Sequence, residues 1–521
     1  MKLPKKFHKG LTLFIVYGFL FSVLAITMIP NNSVKTEYLM NLTDITSEEL
    51  VNMTCADTEG LLELGIFPSS IDLSTSPYFP KVGDQGSEGS CAAWAVTYYA
   101  YGYMEAKQHG WTGAYAGVPS QLLSPLYTYN KCTVIKTVNG RIVSGGSSTG
   151  GNANVIKNWG VSTMASFPYV LKTNCSHLLD FGSETAMREA MFHESLNPVY
   201  LMNSVTMIDN IKSALNNDAP VVIGIDGYAF YNSFKDGNFI ISGLEYNSNS
   251  INHAQTIVGY DDSITDDGDI GAFKVVNSWG STFANKGYYW MTYNATKEVT
   301  SKYTPIYIKD KTVESPAIIA TVEFTVAPTR DSPIVFKLLN NDTGALIGKV
   351  TVLANSPPNS STYLPLPQYN KKIVYDISAL TAYNNITNYK FVCEIGKGYS
   401  IGKTGIIKAF TVEKYDEGWS STSTDSPVST PGIFTVLLKP KPIPPVVVDN
   451  TSPSSSVIVS YTVVLSGSDS GSGVKNIQYS IDNGTWMVYS SSLILTGTHS
   501  VRYYATDNAN NVETIKTIYV G

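Results

Sequence analysis

Beyond Lys309 the 521-residue chain loses every sign of helix, and this change of texture limits its fold more than any other feature. Val322, Phe324 and Val326 alternate with polar residues, as do Ile373, Tyr375 and Ile377; strand-like runs follow at Phe391–Ile395 and Ile406–Val412. Such spacing, punctuated by Gly, Asn and Pro, predicts a β-sandwich over residues 310–438. Lys439–Pro445 (KPKPIPP) has little helix or sheet option, so 439–445 reads as a semi-rigid linker. Residues 446–521 form a second, smaller all-β module. Its Ile477, Tyr479 and Ile481 alternate, Asn483-Gly484 signals a type I′ hairpin turn, and Val501, Tyr503 and Ala505 alternate again.

Residues 67–309 mix both patterns. Cys91–Gln108 is rich in Ala and large aromatics, contains no Pro, and reads as a buried helix capped by Ser90. Ile208–Leu215 is a short amphipathic helix, and Ala219–Asp226 a strand leaving it. Ala254–Tyr260, Phe273–Asn277 and Gly287–Tyr293 read as further strands. The segment is therefore an α+β domain. At about 150 residues per domain, three folded units suit the chain length.

The N-terminus carries Lys2, Lys5, Lys6 and Lys9 ahead of an uncharged run, Leu11–Ile29. Residues 1–30 are thus a secretory signal or an uncleaved anchor, and the run's length favours the anchor. Either way the segment enters the membrane during export, and everything after Pro30 lies outside the cytoplasm, extracellular or at the cell surface. Residues 31–66 are a short polar linker or pro-segment, with Asn41 and Asn52 in sequon-like contexts. The net charge is −6, and only four of the 36 basic residues are Arg. A nucleic-acid partner needs a dense Arg-bearing basic face, and none is present. Five cysteines, Cys55, Cys91, Cys132, Cys175 and Cys393, are too few and too scattered for a disulfide framework. The odd count leaves a free thiol in a monomer. A Cys132–Cys175 bridge stays open.

Chemistry concentrates in Asp84-Gln85-Gly86-Ser87-Glu88-Gly89-Ser90-Cys91, which runs straight into the apolar helix. A cysteine at a helix N-terminus faces unpaired N–H groups and the positive end of the helix dipole, both of which favour the thiolate. Gln85, six residues earlier on the glycine-rich loop, can fold back beside the sulfur. With the Cys91 N–H it could form an oxyanion hole. His253, opening an apolar strand, is the best imidazole partner among six histidines. Asn277, in Asn277-Ser278-Trp279-Gly280, can accept from one ring nitrogen and leave the other for the sulfur.

These elements, in this order, resemble the papain family of cysteine peptidases over about Phe67–Ile308, including the opening Phe67-Pro68-Ser69-Ser70-Ile71-Asp72-Leu73. The resemblance implies a two-lobed α+β catalytic domain, a polypeptide substrate and no cofactor. It makes Cys91 the nucleophile, His253 base and acid, Asn277 the orienting residue and Gln85 the oxyanion donor. Trp279 would shield the His–Asn hydrogen bond. Gly150 and Gly151 match the family's Gly-Gly segment that pairs with extended substrate, and Ala254 and Trp279 join them in the substrate-binding set.

Several residues depart from the family pattern. Glu88 stands where the family has a disulfide cysteine, and Ala92 where it has an aromatic, a space Trp94 could fill. The Cys91–His253 interval is long, which implies insertions; Asp261–Asp269 is one candidate. That acidic loop lacks a complete calcium motif, so it is read as solvated and no metal ligand set is expected. The residues between Pro30 and Phe67 are too few for the family's long helical inhibitory propeptide.

Ser472-Gly473-Val474 and Ala505-Thr506-Asp507-Asn508-Ala509 resemble bacterial and archaeal cell-surface immunoglobulin-like repeats. That resemblance implies binding of a cell-envelope polymer or glycan through the β-modules, which are expected to be dispensable for chemistry. The expected function is an exported papain-like thiol endopeptidase working through a Cys-His-Asn thioester mechanism. The alternatives are a surface adhesion or carbohydrate-binding protein with a non-catalytic papain-like scaffold, or a transferase or amidase using the same thioester.

Overall fold

The helix that starts at Cys91 runs to Gln108, with a wider π-helical stretch over Trp94–Tyr101. Its Cys91–Tyr101 part is buried on all sides because it lies between two cores. Trp94, Tyr98, Tyr99, Tyr103 and Ala106 pack toward a β-sheet; Ala92, Ala93, Val96 and Ala100 pack toward the helices Pro125–Cys132 and Thr149–Trp159. Both neighbours are capped from sequence: Ser124 and Ser148 accept from the N–H groups of Tyr127 and Gly151.

The chain is seen here in a computed structural model. It describes residues 40–56, 67–133, 135–138, 141–172, 175–232, 234, 237–248, 250–311, 315–326, 334–352, 372–382, 389–395, 406–423, 428–429, 432–437, 451–459 and 462–520. The run Leu11–Ile29 and the Pro-rich linker lie outside the described residues. Among the described residues, no helix is long and apolar enough to cross a membrane.

The sheet has nine strands. Along its path lie Thr54–Cys55, Val199–Tyr200, Ile306–Tyr307, Val221–Ile225, His253–Asp266, Asp269–Val276, Tyr288–Thr292 and Ile240–Ile241; Ser70–Asp72 adds to the edge of His253–Asp266. His253 pairs with Ile225, and Val276 pairs with Thr256. This antiparallel register brings the start of the histidine strand beside Asn277 at the end of the next. The acidic segment expected as a loop is mostly strand: the two strands continue as a hairpin to the pair Asp266–Asp269, turning at Asp267 and Gly268. Both turn residues have positive φ, as such a tight turn requires.

Residues 318–437 build two antiparallel sheets around Phe324, Phe336, Phe391 and Phe410. Their core also takes in Cys132, Val155, Trp159 and Phe181 of the preceding α+β region. The Trp159 ring meets Tyr375 edge-on at 5.0 Å, and Arg188 Nη1 lies 2.9 Å from Glu413 Oε2. Residues up to Leu438 accordingly form one compact unit.

The second compact unit, Lys439–Gly521, has a three-stranded and a four-stranded antiparallel sheet. Val463 and Leu465 of one share a core with Val501, Tyr503 and Ala505 of the other. Its expected turn is shifted by one residue. Asp482 and Asn483 take the positive φ values, and the Gly484 N–H closes the turn on the Ile481 carbonyl at 2.8 Å. Asn and Asp tolerate the left-handed region best among residues with a side chain, so glycine is not needed there.

Candidate active site

Two loops are zipped together under the site. Gln85 N donates to Ser278 O at 2.8 Å, and Gly280 N to Gly83 O at 2.9 Å, so the glutamine loop and the Asn277–Gly280 turn move as one piece. Ser90 occupies the residue before the helix, but its hydroxyl does not cap it as expected. It lies 2.6 Å from the Tyr169 hydroxyl instead, leaving the first-turn N–H groups for the next side chain. Cys91 Sγ takes them. Its backbone hydrogen bonds come from Ala92 and Cys91 itself, from Ala254 across the cleft, and from Asn41.

His253 Nε2 donates to Asn277 Oδ1 at 2.8 Å, and the ring is stacked on Trp279 with centroids 4.7 Å apart. Asn277 is held in turn by the Tyr99 hydroxyl, which donates to its carbonyl at 3.0 Å. That fixes the tautomer: Nε2 carries the proton, and Nδ1 is buried without a hydrogen-bond partner among the described residues. Cys91 and His253 are both fully buried. Burial pushes the Cys91 thiol up to about 11 against the opposing backbone N–H groups. It lowers His253 to about 4, opposed by Asn277. In this state the pair is neutral.

The cover responsible is the segment beginning at Met40, within the stretch expected from sequence to be a short polar linker or pro-segment. Leu42 N donates to Asn252 O at 3.0 Å on one wall, and Thr43 N to Ser147 O at 3.2 Å on the other. Leu42 also forms a parallel bridge with Ser147, and its side chain is buried in the core that holds Cys91 and Ala92. The segment continues through a five-residue helix, Ser47–Val51, closed by a Thr46–Glu49 capping box, and joins the sheet at Thr54–Cys55.

The expected substrate glycines need correcting. Gly150 and Gly151 lie in the first turn of the helix Thr149–Trp159, so their backbone is not extended. On that wall the pairing residue is Ser147, which bridges Leu42 and accepts from Thr43 N. Gly146 has φ +87°, and a Cβ there would sit 1.7 Å from the Asn41 carbonyl oxygen, so only glycine lets another chain approach this closely. Ser148, a good N-cap before Thr149-Gly150-Gly151, was the sequence signal that these glycines are helical. Ala254 supplies its N–H to the sulfur. Gln85 is locked: Oε1 accepts from Ser278 Oγ at 2.6 Å, and Nε2 donates to Glu88 O at 2.9 Å, aiming the amide at the turn that leads to Cys91. Ser278 was missed as the residue that sets this orientation.

No disulfide forms; all five cysteines are thiols, Cys132 and Cys175 included. Where the family bridge would be, Glu88 is buried. Its carboxylate accepts from His177 Nε2 and from the Tyr129 hydroxyl, each at 3.0 Å. Lys172 N donates to His177 Nδ1 at 3.0 Å, which places the ring proton on Nε2 facing Glu88. A polar network ties the loop to the helical side in place of a covalent bond. Trp94 packs against Gly83 and Tyr169, filling space beside the loop.

A cysteine at a helix start, an imidazole held by an amide oxygen and a glutamine amide on an adjoining loop, set between helices and a sheet, define a cysteine-type peptidase site. The model of the papain family of cysteine proteases matches residues 67–308. The chain is 27% identical over 243 residues to cathepsin J of Mus musculus, covering 45% of this chain and 63% of that protein. It is 28% identical over 230 residues to cathepsin S of Bos taurus, covering 44% and 61%. The chain thus spans less than two thirds of the relatives it matches. Among solved structures it is similar to xylellain, a cysteine protease from Xylella fastidiosa, with 18% identity, 54% of this chain and 95% of that chain covered, and a TM-score of 0.35.

Proposed function

We propose that the chain is an exported thiol endopeptidase, held latent by its own residues 40–56. The observation that carries this reading is the sulfur's surroundings. Cys91 Sγ sits at a helix start against the N–H of Ala254, beside an imidazole whose far nitrogen is committed to Asn277. In the opened site, the Cys91 proton passes to His253 Nδ1 and the sulfur attacks the scissile carbonyl carbon. The developing oxyanion is met by the Cys91 N–H and the Gln85 amide. The C–N bond breaks as His253 returns the proton to the leaving amine, and water then hydrolyses the thioester with His253 as base.

Extended substrate replaces Met40–Thr43 between Asn252 and Ser147. Polypeptide substrates follow from the family. Export rests on the basic residues and apolar run before Pro30, and envelope retention through the C-terminal β-modules on their likeness to surface repeats. The test is labelling of the purified chain by a thiol-directed epoxide, with peptide mapping, alongside hydrolysis of unfolded protein. Modification at Cys91 with loss of hydrolysis is expected. Hydrolysis that persists after complete Cys91 labelling overturns the reading, and labelling without any hydrolysis of polypeptide favours the transferase alternative.

A further inference from the structure

At the far end of the nucleophile's helix, three metal-ligating side chains converge where neither the sequence reading nor the catalytic site requires them. Glu105 projects from the last turns of the helix, and His109 follows one turn later, which puts both on one face. His193 arrives from the loop after the helix Glu184–Ala190. One donor atom from each lies within 4.8 Å of the other two. Glu105 Oε2 is 2.6 Å from His193 Nδ1 and 3.2 Å from His109 Nε2. Around a four-coordinate Zn2+, with bonds of about 2.0–2.1 Å, donors stand roughly 3.3 Å apart. The Glu105–His109 separation already meets that, and the Glu105–His193 pair needs to open by about 0.7 Å.

The surroundings are those of a built site. Glu105 is 1% exposed and His193 7%, so a carboxylate is held in the interior. Among the described residues, the two imidazoles are the basic side chains within ion-pair distance of it. Its other oxygen, Oε1, accepts from the Tyr101 hydroxyl at 2.5 Å, an outer partner that fixes the carboxylate's orientation. Tyr101 also lies 3.1 Å from Asp310 Oδ1, which accepts from Lys311 N at 2.8 Å, so a second carboxyl group stands on the outer side of the cluster. The Trp111 ring stacks on His109 at 4.7 Å and meets His193 at 5.4 Å, walling the group with an apolar face. The His109 side chain keeps 24% exposure, so the cluster lies close to the surface.

From this geometry we infer that Glu105, His109 and His193 bind one divalent transition ion of the Zn2+ class. Two imidazoles and a carboxylate suit Zn2+ or Co2+ and not Ca2+ or Mg2+, which prefer oxygen alone. The ion's role is structural. It clamps the end of the Cys91 helix to the 191–196 loop, which is bridged to the chain's exit from the peptidase domain by Ser195–Asp310 and by Leu196 N donating to Lys309 O at 2.9 Å.

The test uses the full chain, stripped with EDTA and titrated with Co2+. Expected are one equivalent bound, visible absorption of four-coordinate Co2+ without a thiolate charge-transfer band, and a Tm several degrees above the stripped protein. His109→Ala and His193→Ala should each weaken binding by roughly 100-fold or more, the ligands themselves mattering at least as much as outer partners worth about 10–100-fold. His499→Ala, in the other compact unit, should bind like the parent. Absence of stoichiometric binding, a thiolate band, or unaltered binding in the His109 and His193 variants overturns the inference and leaves a proton-bridged structural triad. If His193→Ala does not fold, the imidazole resonances of the parent still decide. Two histidines must shift or broaden with one equivalent of Co2+, and no such response refutes the site.

Discussion

Leu42 gives the sharpest handle on the covered site. Its side chain is buried in the core that contains Cys91 and Ala92, yet it belongs to the segment proposed to leave. Leu42→Ala removes that burial from the covered state only, because in the opened state residue 42 is in water. Truncating a buried Leu costs about 2–5 kcal/mol; the lower half of that range applies because a surface segment can settle into part of the gap. A loss of about 2–3 kcal/mol multiplies the open population roughly 30- to 150-fold, at tenfold per 1.4 kcal/mol.

Buried thiol is unreactive and opening precedes alkylation, so the labelling rate follows the open population. The assay is the rate at which a thiol-directed probe modifies Cys91 in the full chain at one pH, read by mass spectrometry of the Cys91 peptide. A one- to two-decade acceleration is expected, with an unchanged global Tm. Leu196→Ala, at an exposed position, is the control and should alter nothing. A change under twofold in Leu42→Ala, in a protein that remains folded, would refute the idea that this segment governs access to the sulfur.

Cys91→Ala should abolish peptide hydrolysis with the fold intact, since a small residue suits the buried helix start; His253→Ala should do nearly the same, and Asn277→Ala should lose less, as Asn277 only orients the ring. Titrating kcat/KM after the cover is removed checks the order. The cover should also loosen in acid. His253 is held at about 4 when covered, against 6.5 for an ordinary imidazole, so the opened state binds the extra proton between those values. The covered state is therefore favoured above pH 6.5 and loses stability as pH falls toward 4, by up to about 3 kcal/mol at 1.36 kcal/mol per unit. Faster amide exchange at Thr43 at pH 4.5 than expected from the intrinsic rate alone is the readout, and a pH-independent protection factor would count against it. Deleting 446–521 should leave hydrolysis per active site unchanged, measured on a small fluorogenic peptide. Ending the chain at Ile308 should not be so harmless: it exposes Val155, Trp159 and Phe181, and a 40–308 fragment should show a lower Tm and more aggregation than 40–438.

Which features were legible in sequence follows from how local their causes are. The Cys91 helix, the histidine strand and the Asn277 turn are each written in a run of adjacent residues, and the antiparallel register then brings them together. Strand positions in the β-regions were readable for the same reason, since alternation is a two-residue signal. Contacts between distant segments were not. Nothing near Asn41 says that its N–H will rest on a sulfur fifty residues away, or that Gly146 must lack a side chain to receive it. The Gly150-Gly151 assignment failed because a motif was matched without asking what Ser148 does to the two residues after Thr149.

The same distinction decides the domain boundaries. A Pro-rich run can be read from the chain, and the two compact units divide beside it. The junction near Lys309 has no such marker, and there the two parts share a core through Trp159 and Tyr375 while Arg188 and Lys372 reach across to Glu413 and Glu184. Exposed pairs of this kind contribute little, about 0–1 kcal/mol each, whereas a desolvated aromatic contact contributes through its buried area. Trp159→Ala should therefore weaken the attachment of the central β-sheets more than Arg188→Ala does. Because Trp159 ends the helix that opens at Thr149, just after the Gly146–Ser147 wall, loosening it is the route by which the β-region can act on the cleft. Retention of wild-type KM in Trp159→Ala would confine that region to a supporting role.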